Sequence, residues 1–203
     1  MNPIGQSSGI PDRKEIMKIF TMGASLRKES FNKKLSYCAS ELLKRMDGIE
    51  VDAALFNEFS MPVYDGDLEE MNGIPEGARK LIERVRAVDA LVISTPEYNG
   101  GIPGALKNAI DWVSRDTPNA FEDKPLLLIG ASPGGLGAVR SLWHTRVPLE
   151  AVGAMVYPEM FGLSKAHQAF DGAGNFIDPK NVTRLDELLQ AFVAFSKKLS
   201  GKV

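Results

Sequence analysis

Short apolar runs alternate along the chain with stretches in which apolar residues recur every three or four positions. The runs predict five buried strands, at residues 16–22, 49–56, 90–95, 125–131 and 154–157. The periodic stretches predict five helices, at residues 30–48, 78–88, 103–114, 136–150 and 182–199. Residues 163–179, between the last strand and the last helix, are predicted to be irregular.

This alternation predicts an α/β fold in which a parallel sheet is covered by helices on both faces. Because crossover connections are right-handed, the expected architecture is a doubly wound sandwich. We expect a single domain over residues 15–200. Residues 1–14 carry no periodic pattern and are predicted to be a disordered lead-in.

The amino-acid composition argues against several classes of protein. The chain has 203 residues, of which 44% are hydrophobic, and a net charge of −2, so no general affinity for nucleic acid or an anionic membrane is expected. No apolar run approaches the roughly 18 residues of a transmembrane helix. Cys38 is the only cysteine, which excludes an intrachain disulfide and favours the cytoplasm. Two isolated histidines give no indication of a metal site.

Three loops of unusual composition follow predicted strands, at residues 23–32, 96–101 and 132–137. In doubly wound folds, ligands bind beyond the carboxyl ends of the strands, near the point where the strand order reverses. The loops lie far apart in sequence, but the fold would bring them to one edge of the sheet. The sequence therefore predicts a ligand site formed by these three loops.

The first loop indicates an anion site. Ser25, Ser30 and Asn32 offer polar donors at the start of a helix, and Arg27 adds a forked cationic donor. A capped helix with a solvated arginine is the plainer alternative. Ser25 and Lys28 also match a short pattern of serine acylases, but the partner motifs of that class are absent. Since the glycine fingerprint of dinucleotide folds is missing as well, the pattern favours a terminal monophosphate.

The second and third loops are typical of a pocket for a flat, polar-edged ring. Two glycines and two prolines in residues 95–103 allow a ligand close to the main chain, beside Tyr98. Tyr98 as a core aromatic and Asn99 as a turn residue are the alternatives. The glycine-rich segment 131–137 is either a tight turn or the other wall of this pocket.

Two motifs carry a resemblance to a known family. Gly-x-Ser-Leu-Arg-x-x-Ser-Phe-Asn, at residues 23–32, and Thr-Pro-Glu-Tyr-Asn followed by Pro-Gly-Ala-Leu-Lys-Asn-Ala-Ile-Asp-Trp, at residues 95–112, resemble the NAD(P)H-dependent FMN reductases. That family includes chromate and quinone reductases and azoreductase-like flavoproteins. The resemblance implies a flavodoxin-like five-stranded parallel sheet of order 2-1-3-4-5, bound FMN, and a homodimer or homotetramer with flavin sites near a subunit interface.

The resemblance also implies a set of cofactor-binding residues. The FMN phosphate would be held by the turn that contains Ser25, Leu26, Arg27, Ser30, Phe31 and Asn32. The isoalloxazine ring would be flanked by Pro96, Glu97, Tyr98, Asn99 and Gly100, and its pocket completed by Ser132, Gly134 and Gly135. Glu29 departs from the glycine common in close relatives, and Gly100-Gly101 replaces bulkier residues, which widens access to the flavin.

We therefore expect an FMN-dependent oxidoreductase with NADH or NADPH as hydride donor. Quinones, azo compounds, metal oxyanions such as chromate, or free flavin would be the small-molecule acceptors, in a ping-pong mechanism. The flavin would carry the chemistry, so neither a catalytic side chain nor a metal is predicted. The alternative is a flavodoxin-type electron carrier, but Arg27 and the mild net charge argue against it.

Several large side chains predict self-association. Tyr98, Trp112, Trp143 and the aromatic segment 157–161 are expected near the site, and they exceed what a monomer's surface should show.

Overall fold

The computed structural model describes residues 16–201, and its strands form one parallel sheet. The strands are β1 (Met17–Gly23), β2 (Ile49–Leu55), β3 (Ala90–Ser94), β4 (Pro125–Ala131), β5 (Met155–Val156) and β6 (Phe161–Leu163). Their order is β2-β1-β3-β4-β5, with β6 also paired to β4, and every pairing is parallel. The predicted strand order is confirmed. The predicted lead-in at residues 1–14 lies outside the described residues.

Within residues 16–201, six helices accompany the sheet: α1 (Phe31–Leu43), α2 (Gly66–Asn72), α3 (Glu76–Arg86), α4 (Gly104–Val113), α5 (Val139–Ala151) and α6 (Pro179–Ser200). Short 3-10 turns lie at Phe56–Glu58 and Ala166–Gln168. Side chains of α1 and α6 pack on one face of the sheet, and those of α3, α4 and α5 pack on the other. Alternating residues of β1 point to the two cores, Met17 and Ile19 to the first and Phe20 and Met22 to the second.

The structure differs from the sequence-based prediction in a few elements. Helix α2 was not predicted because none of its residues is buried, so it shows no apolar period. Helix α5 begins at Val139 rather than at residue 136. The reason is that Gly137 and Ala138 have φ angles of 59° and 65°, in the left-handed region that a right-handed helix cannot contain.

The last position in the sheet is shared by two short strands. Strand β5 pairs with the start of β4, at Pro125 and Leu126, and β6 pairs with its end, at residues 129–131. Strand β6 was not predicted, because it has only three residues, Phe-Gly-Leu. Its middle residue, Gly162, lies directly against Gly137, and a Cβ on Gly162 would be 3.0 Å from the Gly137 carbonyl oxygen.

Strand β2 forms the opposite edge of the sheet. At its carboxyl end, the Ala53 carbonyl accepts a hydrogen bond from Arg84 Nη2 at 3.1 Å. The Leu55 N–H donates to Glu58 Oε1 at 2.6 Å. Arg84 also pairs with Asp52 and with Glu58, so two side chains occupy the outer backbone groups at this end of the strand.

Candidate functional site

The three loops meet at the carboxyl edge of β1, β3 and β4. They enclose a cleft of about 60 Å³ lined by Ser25, Arg27, Ser30, Phe31, Asn32, Pro96, Glu97, Tyr98, Ala131, Ser132 and Pro133. The remaining predicted site residues, Leu26, Asn99, Gly100, Gly134 and Gly135, lie in the same loops but outside this wall. A larger cleft of about 230 Å³ lies between α1 and β2, but residues of the second and third loops do not line it.

The first turn presents hydrogen-bond donors to the cleft. Ser30 caps α1, since its Oγ accepts from the N–H groups of Asn32 and Lys33 at 3.2 and 3.4 Å. The Arg27 guanidinium is exposed and makes no hydrogen bond or ion pair with any residue from 16 to 201. Within the same described range, the backbone N–H groups of residues 26 and 28–31 also have no acceptor. Free N–H groups at a helix start, together with a free guanidinium, suit a phosphate.

Asn32 uses its side chain inside the protein. Its Oδ1 accepts from the Ser94 hydroxyl and from the Ala131 N–H, both at 2.9 Å, and its Nδ2 donates to the Ala131 carbonyl at 2.9 Å. The side chain therefore joins the first turn to the ends of β3 and β4. Because three polar bonds of Asn32 are already made, it contributes mainly to the alignment of the three loops.

The second loop is a tight hairpin. Tyr98 and Gly101 exchange both backbone hydrogen bonds, at 3.2 and 3.0 Å. Asn99 and Gly100 between them have φ angles of 51° and 75°, as in the two-residue turns that favour Asn-Gly. The turn leaves the Tyr98 side chain 45% exposed at the cleft. The Arg140 guanidinium lies beside Gly100, so α5 fills part of the space above the two glycines.

Glu97 points from the second loop to the first turn of α5. One carboxylate oxygen accepts from Arg140 Nε at 2.8 Å and from Arg140 Nη2, and the other accepts from the Arg140 N–H at 3.1 Å. Burial of the Glu97 carboxyl acts to raise its pKa, but these hydrogen bonds and one from the Ser141 N–H outweigh it. The pKa of Glu97 therefore lies below its ordinary value.

The third loop is fixed by the chain that follows β6. The Ser132 N–H donates to the Leu163 carbonyl, and the carbonyls of Ser132 and Gly134 accept from the N–H groups of Ala166 and Lys165. The Gly134 N–H donates to Ser132 Oγ at 3.2 Å. Gly134 and Gly135 remain exposed, and a Cβ on Gly135 would meet no atom within 4 Å. The loop thus has a fixed backbone and an exposed tip next to the cleft.

Two residues of the α4 motif have structural roles that the sequence reasoning missed. The Asn108 side chain accepts from the Tyr64 N–H at 2.7 Å and donates to the Pro62 carbonyl at 2.8 Å. Trp112 Nε1 donates to the same carbonyl at 2.8 Å. Trp112 is only 1% exposed, so its assignment to a surface cluster was wrong. Leu106, Ala109 and Trp112 are three residues apart in turn, and this spacing places them on the same face of a helix.

The two aromatic rings of the Tyr157–Phe161 segment also pack inward, whereas Pro158 and Glu159 are exposed. Tyr157 packs against Phe192 and Phe195, with ring centroids 5.7 and 5.1 Å apart, and Phe161 is buried. Trp143, by contrast, is 56% exposed on α5. Of the large side chains expected at the surface, Tyr98 and Trp143 are therefore the ones that are substantially exposed.

The site combines phosphate donors, an exposed aromatic ring and two loops with accessible backbone. Residues 17–168 match the family described as NADPH-dependent FMN reductase. The chain belongs to this family. Membership confirms the predicted class, an oxidoreductase that uses FMN and a reduced nicotinamide.

Individual FMN reductase relatives align over nearly the whole chain. The NAD(P)H-dependent FMN reductase of Pseudomonas aeruginosa is 34% identical over 187 residues, covering 91% of this chain and 98% of that protein. The quinone reductase of Escherichia coli K12 is 35% identical with the same coverage. The structure of the flavoenzyme NAD(P)H:(acceptor) oxidoreductase FerB from Paracoccus denitrificans superposes with a TM-score of 0.77, at 32% identity, over 90% of this chain and 98% of that one.

Within residues 16–201 of this FMN reductase family member, no helix combines the length and the apolar character of a membrane span.

Proposed function

We propose that the protein is an FMN-dependent NAD(P)H oxidoreductase that reduces quinones. The observation that carries the proposal is the first turn, where a free guanidinium, two hydroxyl groups and free N–H groups border a cleft shared with the other two loops. Bound FMN would supply transfer of two electrons between a reduced nicotinamide and an acceptor. The relative from P. aeruginosa is named for the use of NAD(P)H and FMN, and the relative from E. coli is named for the reduction of quinones, so the two names support the proposal.

The donor set of the first turn fits the FMN phosphate. Arg27 would bind phosphate oxygens with its forked N–H groups, and the N–H groups at the start of α1 would add a fixed positive field. Ser25 and Ser30 lie in the wall of the cleft as further partners. Glu29 is exposed on the same turn, but donors outnumber this one carboxylate.

The ring of FMN would lie between the second and third loops. Pro96, Tyr98 and Ser132 line the cleft there, and the hairpin at residues 98–101 and the exposed Gly134-Gly135 segment extend from it. The backbone groups of these loops would meet the polar edge of the ring, and Tyr98 would border it. Leu26, Phe31, Asn99 and Gly100 would support the turn and the hairpin.

We also propose a broad choice of acceptors. The exposed Tyr98 and the open surface of Gly134 and Gly135 would leave room for azo compounds, metal oxyanions such as chromate, or free flavin as well as quinones, although Arg140 lies beside Gly100. A single face used first by the nicotinamide and then by the acceptor predicts ping-pong kinetics. Parallel double-reciprocal plots with a quinone would support this scheme, and intersecting plots would contradict it.

The remaining parts of the proposal concern the whole chain. We propose one FMN-binding domain over residues 15–200, location in the cytoplasm, and a homodimer or homotetramer. The exposed Trp143 and Val147, one turn apart on α5, support self-association through that helix.

The decisive experiment is purification followed by a visible spectrum and an assay of NAD(P)H oxidation. We expect a yellow protein that releases FMN, not FAD, on denaturation, and that oxidises NADH or NADPH when a quinone is added. A flavin-loaded protein without NAD(P)H oxidation would instead indicate an electron carrier. Failure to bind FMN, even after reconstitution, would refute the proposal.

A further inference from the structure

Helix α5 lacks a cap of its own. The residue before its first turn, Ala138, has a left-handed backbone with φ 65° and ψ 18°, and it has no side chain that can accept a hydrogen bond. The first turn of α5 contains no acidic residue. A helix start normally needs an oxygen acceptor for its free N–H groups, commonly a Ser, Thr, Asp or Asn side chain.

Glu97 supplies that acceptor from a different loop, 43 residues earlier in the chain. One of its oxygens accepts from the N–H groups of Arg140 and Ser141, at 3.1 and 3.4 Å. The other accepts from Nε and Nη2 of the Arg140 side chain. The Glu97 side chain is only 8% exposed, whereas the Arg140 side chain is 53% exposed, so the carboxylate is covered on the side away from Arg140.

All of the acceptor capacity of this carboxylate is used. An ionised carboxylate offers about four acceptor positions, and the four N–H donors of Arg140 and Ser141 fill them. The Glu97 side chain therefore has no acceptor position left for a ligand. This excludes the simplest reason for a glutamate in the wall of a ring pocket, a direct bond to the ring.

A second contact joins the same two segments. Ser141 Oγ donates to the Pro96 carbonyl at 2.8 Å, and it lies 3.5 Å from the Thr95 hydroxyl. The start of α5 is thus attached to two successive residues of the second loop. Since α5 directly continues the third loop, both walls of the proposed ring pocket are joined through this one contact region.

We infer that Glu97 is a positioning residue, which caps α5 from the second loop and thereby fixes the distance between the two walls of the flavin-ring pocket. The inference rests on the proposed function for the nature of the ligand. The cap itself belongs to the protein without ligand, so it can be tested separately.

The first measurement is amide hydrogen exchange by NMR on the protein freed of flavin. In Glu97→Ala, exchange at the Arg140 and Ser141 amides should accelerate about fivefold or more, because the cap is lost. Arg140→Ala removes the guanidinium but leaves the cap, so the Ser141 amide should stay protected. Unchanged protection in Glu97→Ala would overturn the inference.

The second measurement is FMN affinity, together with the visible circular dichroism of the bound flavin. Glu97→Ala should weaken FMN binding about tenfold and alter the flavin signal, because the pocket walls separate. Asp178→Ala is the matched control, since Asp178 caps α6 through the Lys180 N–H at 2.9 Å, away from the cleft. It should lower stability while leaving FMN affinity and the flavin signal unchanged.

The outcomes separate the cap from the proposed function. An unchanged flavin signal and affinity in Glu97→Ala, despite faster exchange, would leave a helix cap without a positioning role and would refute the inference. A parent protein that binds no FMN would refute the proposed function, while the exchange measurement still decides whether the cap exists. If Glu97→Ala does not fold, Glu97→Gln, which keeps one oxygen, should show the same changes at smaller size.

Discussion

Arg27 and Asn32 lie on the same turn, but one faces solvent and the other faces the protein. Arg27→Ala should therefore weaken FMN binding by roughly 1.5–3 kcal/mol, the range for hydrogen bonds to charged groups, without lowering the free energy of unfolding. Titration of the flavin by fluorescence checks this. Arg79→Ala, which removes an exposed arginine from α3, is the control and should bind FMN like the parent. Equal affinity in Arg27→Ala would contradict the phosphate assignment.

Asn32→Ala, by contrast, should lower the free energy of unfolding. The substitution leaves the backbone groups of Ala131 and the Ser94 hydroxyl without their buried partner. We expect the free energy of unfolding to fall by about 2–4 kcal/mol, since buried polar groups left unpaired cost roughly 1–3 kcal/mol each. Urea denaturation of the flavin-free protein measures the change. A loss below about 0.5 kcal/mol would mean that the three bonds do not hold the loops together.

Cys38 gives a prediction about reactivity. Burial raises the pKa of its thiol to about 11 from an ordinary value of 9.0, and Sγ lies 3.4 Å from the Gly174 carbonyl. At pH 8 the thiolate fraction should be about 100-fold below that of a free cysteine, because two pKa units separate them. Ellman's reagent should label the native protein far more slowly than the urea-unfolded chain. Equal rates in the two states would show that Cys38 is accessible.

At the residue scale, sequence reasoning identified polar side chains but not their directions. The Asn99-Gly100 pair carries a recognisable hairpin signal, and the structure has that turn. The family resemblance placed Glu97 beside the ring, whereas the partners of its side chain, Arg140 and Ser141, are more than forty residues away in sequence. No local pattern indicates which distant helix start lacks a cap.

At the scale of elements, the contact between the third loop and β6 controls the backbone of the pocket. Gly137→Ala would place a Cβ 2.9 Å from the Gly162 carbonyl carbon, at a φ of 59° that disfavours alanine. We expect a loss of about 1–3 kcal/mol in the free energy of unfolding. Gly135→Ala, two residues away with open space around its Cβ position, is the control and should be nearly neutral. Equal stability of the two variants would contradict the close packing.

The elements that sequence reasoning missed are short or fully exposed. Helix α2 has seven residues and buries none of them, and β6 has three residues with a glycine at its centre. Apolar periodicity arises from burial on one face, so α2 leaves no signal, and the two buried residues of β6 are too few to establish a period. The longer strands and helices, which supply both cores, were all predicted, although several ends differ by two or more residues.

At the scale of the whole molecule, we predict that copies of the protein associate through α5. Trp143→Glu should reduce the mass measured by light scattering at micromolar concentration, because a charge would replace an exposed aromatic side chain in the contact. Val63→Glu, at a side chain that is 80% exposed in a different region, should leave the mass unchanged. If the parent is already monomeric, or if Trp143→Glu keeps the parent's mass, α5 is not the contact.

The convergence of the three loops was predictable at this scale because it follows from topology alone. Once the strands are known to be parallel, all of their carboxyl ends point to one edge, whatever the side chains do. The volume of the cleft and the way α5 covers Gly100 depend on packing between distant segments. Packing of this kind cannot be predicted from a single sequence.

The occupied backbone groups at the carboxyl end of β2 have a consequence for how copies of this protein meet at high concentration. An incoming strand would find Ala53 and Leu55 already engaged by Arg84 and Glu58. Extension of the sheet from molecule to molecule, the first step toward fibrils, is therefore hindered at that end. Crowded solutions should consequently be free of ordered filaments that grow through this end of β2.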